Sequence, residues 1–513
     1  MLRIQGGEVK LLHWLTLLSG LVESLFFTGI AYGWASLVFV LKVDGYFAAY
    51  CTNVTRDEDT HNMDIITDCS GQDEQFSQVM SVASIVNTIL RFPIGYVFDR
   101  CGTAATRIMA ISFYTIGTLL ITLSNAETSL LLYPALSSII IAGMMLYMTN
   151  AQVGNLFHSY RSTIITLYNG AFESSAAVCF IIKLLHERGV SLHTSFLFLI
   201  LCNIIHLVRT IFLMPRWHIP YPLPETYTYG VSCNVQKRKR RQEENDRVQE
   251  FKEGEVKKTE KAKEATFWSC VFSWLFLCHL VWVVTIILCQ FIFLSNVNPM
   301  LTRLADGDQT VVSHYTNAFA LIQLCGVLFS IISGLLMDRH KHRPLAPGET
   351  SRETDLRSSS LAIFLSCLLC FFFCVCFTCP VLPLQYVTFV LQVTSSSFFY
   401  GIHQAFISIA FPASHFGKMS GIAMSLSALV LFIQFPLLNL IQNQLHGDPL
   451  YVNIGVTLVS LLAFIHPVHV SLYCRELAKQ RKNSQLTQQS LRPSDQLLSA
   501  VPSSRSEVQD DAG

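Results

Sequence analysis

The stretch Gly95-Tyr-Val-Phe-Asp99-Arg100-Cys-Gly102-Thr-Ala-Ala-Thr-Arg107 follows one long apolar run and precedes another. It therefore has to be a short loop between two membrane helices. Its pattern is G-x-x-x-D-R-x-G, with a basic residue a few positions on. The chain repeats the core of it as Gly334-Leu-Leu-Met-Asp338-Arg339, again at the end of an apolar run. One six-residue match is weak. Two copies at equivalent places imply a duplicated architecture, and paired halves moving about a central site are how duplicated carriers work.

Only 14% of the 513 residues are charged and 51% are hydrophobic, against about 25% charged in a soluble domain. A bilayer-spanning helix needs about 20 mostly apolar residues. Twelve such spans fit, at 11–41, 77–98, 104–126, 128–150, 162–184, 194–214, 267–295, 314–337, 359–379, 384–411, 417–441 and 450–473. They are called spans 1 to 12 below. The first is far longer than a signal-peptide core and no small-residue cleavage site follows it, so it reads as a retained helix. An even number of spans puts both termini on one side. Only Lys42, Arg56, Lys183, Arg188 and Arg303 lie on or beside the other side, so the positive-inside rule places both ends in the cytoplasm. The net charge of +1 gives no electrostatic case for nucleic acid.

The expected organisation is a six-helix half at 1–214, a cytoplasmic central loop at 215–266, a second six-helix half at 267–474 and a disordered tail at 475–513. The first outer loop, 42–76, is acidic and carries the chain's single N-x-S/T sequon, Asn53-Val-Thr55, an acceptor for glycosylation. Cys51 and Cys69 flank it. An oxidising exterior favours their pairing as a disulfide, and two free thiols are the alternative. Pro215, Pro220, Pro222 and Pro224 forbid continued helix at the start of the central loop. The run Lys237-Arg-Lys-Arg-Arg241 then suits anionic lipid or solvent better than nucleic acid. The cysteines at 367, 370, 374, 376 and 379 share one lipid-embedded helix, which suggests packing and no metal site.

Polar residues inside spans carry the functional information. A mid-membrane carboxylate costs about 2.5–3.5 kcal/mol on insertion scales, so it faces the bundle interior or water. Glu23 on span 1 and Glu173 on span 5 are the mid-helix carboxylates, and no Lys or Arg is placed at mid-helix. Tyr168, Asn169, Ser174 and Ser175 accompany Glu173. In the second half stand His279, Asn317, Gln323, Ser395, Ser396, Ser397, Tyr400, His403, Gln404 and Gln434. Helix–helix hydrogen bonding is the common fate of any one of them. The candidate substrate-binding set is Glu23, Tyr168, Asn169, Glu173, Gln323, Tyr400, His403 and Gln404. Asp99 ends a helix, where a carboxylate can accept hydrogen bonds from the start of another helix and favour its dipole.

The loop motif resembles that between helices 2 and 3 of the major facilitator superfamily. The segments Tyr32-Gly-Trp-Ala-Ser-Leu-Val-Phe-Val-Leu41, Arg161-Ser-Thr-Ile-Ile-Thr-Leu-Tyr-Asn-Gly-Ala-Phe-Glu-Ser-Ser175, His218-Ile-Pro-Tyr-Pro-Leu-Pro224 and His415-Phe-Gly-Lys418 resemble solute carrier family 43. That family holds facilitative carriers of large neutral amino acids and of nucleobases, and the chain is most similar to its nucleobase member. The resemblance implies an all-α, twelve-helix membrane carrier moving purine nucleobases (adenine, guanine, hypoxanthine) without sodium at the plasma membrane. It also implies that Asp99, Arg100, Arg107, Asp338 and Arg339 form gating contacts, with Asp99 facing the start of span 11 near Gly417-Lys418. Asp338 is expected to matter less, because the second copy lacks the later glycine. A uniporter of large neutral amino acids is the rival in the same class, and a non-transporting receptor or scaffold the rival in another. No H-E-x-x-H, nucleophile elbow or paired metal ligands suggest an enzyme. No cofactor, metal or obligate protein partner is expected; the partners are a small-molecule substrate and the lipid bilayer.

Overall fold

The computed structural model describes residues 2–55, 65–221, 223–224, 227–230, 266–306, 308–339, 349–433, 436–437, 440–445 and 448–498. Pro222, the basic run at 237–241, Gln434 and the last residues of the tail lie outside them, as do the acidic residues between 56 and 64.

Among the described residues, eight helical stretches are long and apolar enough to cross a bilayer, and the bent pair Thr310–Leu324 with Gly326–Asp338 makes a ninth. One of the eight, Glu74–Leu123, holds two spans. The helix Ser70–Leu123 breaks at Gly102, whose φ is 79°, and reverses there between spans 2 and 3. Spans 10 and 11 complete the twelve as Gln385–Ala410, rich in polar residues, and the shorter Phe416–Leu431. Each half has its own apolar core. Phe27, Tyr114 and Phe196 anchor the first, and Trp282, Phe293 and Phe389 the second. Large apolar side chains such as Leu123, Phe198, Leu321 and Leu458 lie exposed on the outer faces, where lipid replaces water as their solvent.

Several spans are interrupted, and the breaks in spans 1 and 5 lie beside each other at mid-course. Span 1 runs as helix to Glu23, as a π-turn over Ser24–Thr28 and a 3-10 turn over Ile30–Gly33, then as helix again over Trp34–Val43. Span 5 stops at Ser174 and resumes at Ala177. The breaks meet: the Gly29 N–H donates to Ser175 Oγ at 2.6 Å. Broken helices free backbone groups at membrane depth, which is where carriers build their sites.

Two expectations change here. The all-α chain has a small hairpin in its first outer loop, β1 (Thr52–Thr55) antiparallel to β2 (Ile65–Asp68), and a Cys51–Cys69 disulfide closes its base. The tail expected to be disordered from residue 475 instead continues the last helix to Leu498. An ion pair helps hold it there: Arg481 Nη1 donates to both carboxylate oxygens of Glu353 at 3.0 Å.

Candidate substrate site and latches

The two loop motifs do the same thing in the two halves. Asp99 accepts hydrogen bonds from the backbone N–H groups of Gly417 (2.9 Å) and Lys418 (2.8 Å), the first residues of span 11. Asp338 accepts from the backbone N–H groups of Ser162 (3.2 Å) and Thr163 (2.7 Å), the first residues of span 5, and from Thr163 Oγ1 (2.8 Å). Each carboxylate thus fills the open donors at a helix start in the opposite half and favours its dipole. The motif glycines make the approach possible. A Cβ on Gly95 would sit 2.1 Å from Gly417 O, and one on Gly334 2.2 Å from Thr166 Oγ1. The second copy carries three of these bonds and the first two, although it lacks the later glycine. Arg100 is exposed and reaches only Tyr96 OH at 3.4 Å, whereas Arg339 donates to Leu336 O and Ser358 O within its own half.

Between the latches and the helix breaks, a chain of side chains crosses from one half to the other. Tyr147 OH donates to Asn169 Oδ1 (3.3 Å), and Asn169 Nδ2 donates to Glu173 Oε1 (3.2 Å). Ser397 Oγ of span 10 then donates to Glu173 Oε2 (3.0 Å). Tyr400, one turn of span 10 beyond Ser397, stacks edge-on against Phe399 at 4.8 Å between ring centroids. Phe172 lays aromatic surface beside Tyr147 and Tyr32, with ring centroids 5.1 Å and 5.4 Å away. A narrow cavity adjoins this bridge, lined by Arg91, Ile94, Met144, Tyr147 and Met148 of the first half and Gln404, Ser420, Gly421 and Met424 of the second. Aromatic faces, a carboxylate, two amides and hydroxyls from both halves converge here, around a cavity of about 10 Å³ that the two halves close down to the room of one water molecule.

Of the expected site residues, Asn169, Glu173, Tyr400 and Gln404 gather at this bridge and cavity. Arg91, Tyr147 and Ser420 were missed. Arg91 had a signal, a cation inside an apolar run. Tyr147 and Ser420 had none, because an isolated tyrosine or serine in a span is ordinary.

Six expectations are corrected. Glu23 is fully buried in the first half, away from the cavity. Arg107 donates to both of its oxygens, Nη2 to Oε1 at 2.5 Å and Nη1 to Oε2 at 3.0 Å, Arg209 Nη1 donates to Oε2 at 2.6 Å, and His206 Nδ1 lies 2.7 Å and Asn150 Nδ2 2.9 Å away. Arg107 thus stands in the core and makes no gating contact, and Arg107, Arg209 and Arg91 overturn the absence of cations within spans. Long basic side chains near span ends reach inward when a buried carboxylate compensates them. Tyr168 points the same way, its hydroxyl donating to Leu17 O at 3.1 Å. His403 is buried among second-half helices and Gln323 is exposed on the helix Gln309–Leu324.

This arrangement, two six-helix halves latched by paired loop motifs around a mid-membrane polar bridge, defines a membrane carrier. The chain belongs to the Major Facilitator Superfamily, whose model matches residues 24–435. It is similar to Equilibrative nucleobase transporter 1 of Bos taurus, 44% identical over 480 residues that cover 91% of this chain and 97% of that one. It is also similar to Large neutral amino acids transporter small subunit 3 of Homo sapiens, 26% identical over 543 residues and covering 91% and 95%. Among solved structures, a bacterial homologue of the iron transporter ferroportin in an outward-facing state matches with TM-score 0.52 at 12% identity, covering 90% of this chain and 99% of that one. A double-tryptophan XylE mutant matches with TM-score 0.55, also at 12% identity, covering 90% and 95%. These two likenesses concern the fold alone.

Proposed function

We propose that this carrier moves purine nucleobases, among them adenine, guanine and hypoxanthine, across the plasma membrane by sodium-independent, equilibrative alternating access. The observation that carries the reading is the 44% identity to a nucleobase carrier over nearly the whole chain, against 26% to an amino-acid carrier. The geometry suits it. A base stacked on an aromatic ring gains about 1–3 kcal/mol in nucleic-acid complexes, and Glu173, Asn169, Gln404 and Ser397 supply acceptors and donors for the edges. A guanidinium such as that of Arg91 matches the O6/N7 edge of an oxopurine. The terminal side is the cytoplasm in this reading, the Arg/Lys-poor side the exterior.

Arg91 also favours the second reading, a large neutral amino acid, because its Nε is buried without a hydrogen-bond partner among the described residues and could meet a carboxylate. Competition decides between them. Labelled adenine uptake should be suppressed by hypoxanthine, untouched by leucine, and unchanged when sodium is replaced by an organic cation. Competition by leucine, or a large loss without sodium, would reject the reading. Glu173→Gln and Gln404→Ala should each lower uptake at matched surface abundance by about five- to a hundredfold, the loss of one buried hydrogen bond of ~1–3 kcal/mol. Unaltered uptake in both would remove these residues from the site.

Orientation has its own test. Asn53 lies on β1 of the outer hairpin, so Asn53→Gln should abolish a glycosidase-sensitive shift in gel mobility. No shift in the wild type would put that loop on the other side or leave it unmodified.

A further inference from the structure

Three buried histidines of the second half form a continuous hydrogen-bonded line that ends in the cavity. His466 Nε2 lies 3.1 Å from His279 Nδ1, and His279 Nε2 lies 3.0 Å from His403 Nδ1. His403 Nε2 lies 3.2 Å from Ser420 Oγ. Ser420 in turn faces both ends of the Gln404 amide: Gln404 Nε2 is 3.0 Å and Oε1 3.2 Å from Ser420 Oγ. Ser420 and Gln404 line the cavity, and all three imidazoles are fully buried.

A line of neutral imidazoles has two directions, since each ring donates from one nitrogen and accepts at the other. In the first direction His466 donates to His279, His279 to His403, and His403 to Ser420. The Ser420 hydroxyl is then left to donate to Gln404 Oε1, and the Gln404 NH2 group is free for the cavity. In the second direction every bond reverses. Ser420 donates to His403 and accepts from Gln404 Nε2, so Gln404 Oε1 is free for the cavity. His466 Nδ1 is buried without a hydrogen-bond partner among the described residues, so the far end of the line commits it to neither direction. Turning the second direction into the first moves each proton one place along. Ser420 takes a proton from the cavity side as it passes its own to His403, and His466 Nδ1 gives one up, so the number of protons on the line is unchanged; because His466 Nδ1 is buried, the exchange proceeds when helix movement admits water to it.

We propose that this line is a reversible hydrogen-bond reader, which lets Gln404 present a donor to one class of purine and an acceptor to the other. The idea rests on the nucleobase reading above. Adenine carries an acceptor at N1 and a donor at its 6-amino group; hypoxanthine and guanine carry the reverse, a donor at N1 and an acceptor at O6. A fixed amide suits one pattern and leaves the other with an unpaired buried polar group. A reversible one suits both. His279, His403 and His466 are positioning residues here, acting on substrate through Ser420 and Gln404.

The test is the ratio of adenine to hypoxanthine uptake at matched surface abundance. Wild type should carry both. His279→Phe keeps the aromatic packing against Phe406, whose ring centroid is 4.7 Å away, but cuts the line and leaves His403 in a single tautomer. The ratio should then move about tenfold or more, the cost of one mismatched buried hydrogen bond. Ser420→Ala, which removes one hydroxyl and little volume, should also move the ratio, and adding His279→Phe to it should move it no further. If His279→Phe does not reach the surface, Ser420→Ala decides alone. An unchanged ratio, with both uptakes equal to wild type or lowered by the same factor, makes the histidines packing and overturns the reader while leaving nucleobase transport intact. If wild type carries neither base, the nucleobase reading itself fails, and the reader with it.

Discussion

Glu23→Ala is expected to destabilise the carrier by about 3–5 kcal/mol, the cost of leaving a buried charge without its partner, and to strip it from the cell surface. Glu23 is the only anion among the side chains of its cluster, and two guanidinium groups, Arg107 and Arg209, converge on it from spans 3 and 6. All three side chains are at most 2% exposed. Asn150 ties the cluster to span 4, its Oδ1 accepting from Arg209 Nη1 at 2.7 Å while its amide donates to Glu23. Removing the carboxylate leaves two cations facing one another in a medium of low dielectric, so the whole first half loses its central tie. Thermal unfolding of the detergent-solubilised protein, with surface biotinylation in cells, reads the effect. A Glu23→Ala protein that melts like wild type and reaches the surface, yet does not transport, would return Glu23 to the substrate site.

Asp338→Ala should cut transport severely while leaving surface abundance near normal, and by at least as much as Asp99→Ala. Hydrogen bonds to a charged group contribute ~1.5–3 kcal/mol each. Loss of even one therefore shifts a two-state balance about tenfold or more. Asp338 accepts three, two of them from backbone N–H groups that no other side chain replaces. Without them the conformer closed on the loop side is depleted, and the alternating cycle slows although the fold is intact. The two latches lie at separate joints, Asp99 to span 11 and Asp338 to span 5, so the double variant should be worse than either single one. Uptake normalised to surface abundance measures this. Full uptake by Asp338→Ala beside a disabled Asp99→Ala would show that the second motif closes nothing.

Much of this molecule is legible in one dimension. A bilayer demands about 20 apolar residues per crossing, so the twelve spans and their even count follow from hydropathy alone. The G-x-x-x-D-R motif is legible for a similar reason. It must end a helix, where a carboxylate can accept from the start of another helix; that this start is Gly417-Lys418 was implied by the resemblance to the major facilitator superfamily. Glu173 and Asn169 were visible as polar residues that no lipid-facing surface would keep.

What the sequence could not determine is which polar residue turns toward which neighbour. Glu23 and Glu173 look alike in the chain, both lone carboxylates inside spans. The difference lies in what surrounds them: two arginines and a histidine from other spans meet Glu23, whereas an amide of its own helix and a serine hydroxyl from span 10 meet Glu173. Arg107 follows the loop motif at a spacing that suggests a gate, yet its side chain is long enough to reach the interior, and a buried anion there outweighs the pull of solvent. His279, His403 and His466 are spread over three helices, and their line exists only once spans 7, 10 and 12 are packed together. Apolar pattern and helix-end chemistry are local, so sequence alone determined the spans and marked Asp99 as a helix-end anion, while its partner came with the resemblance. Compensation of buried charge and of hydrogen-bond donors is settled largely between different spans, far apart in the chain, so only the tertiary structure decided the site.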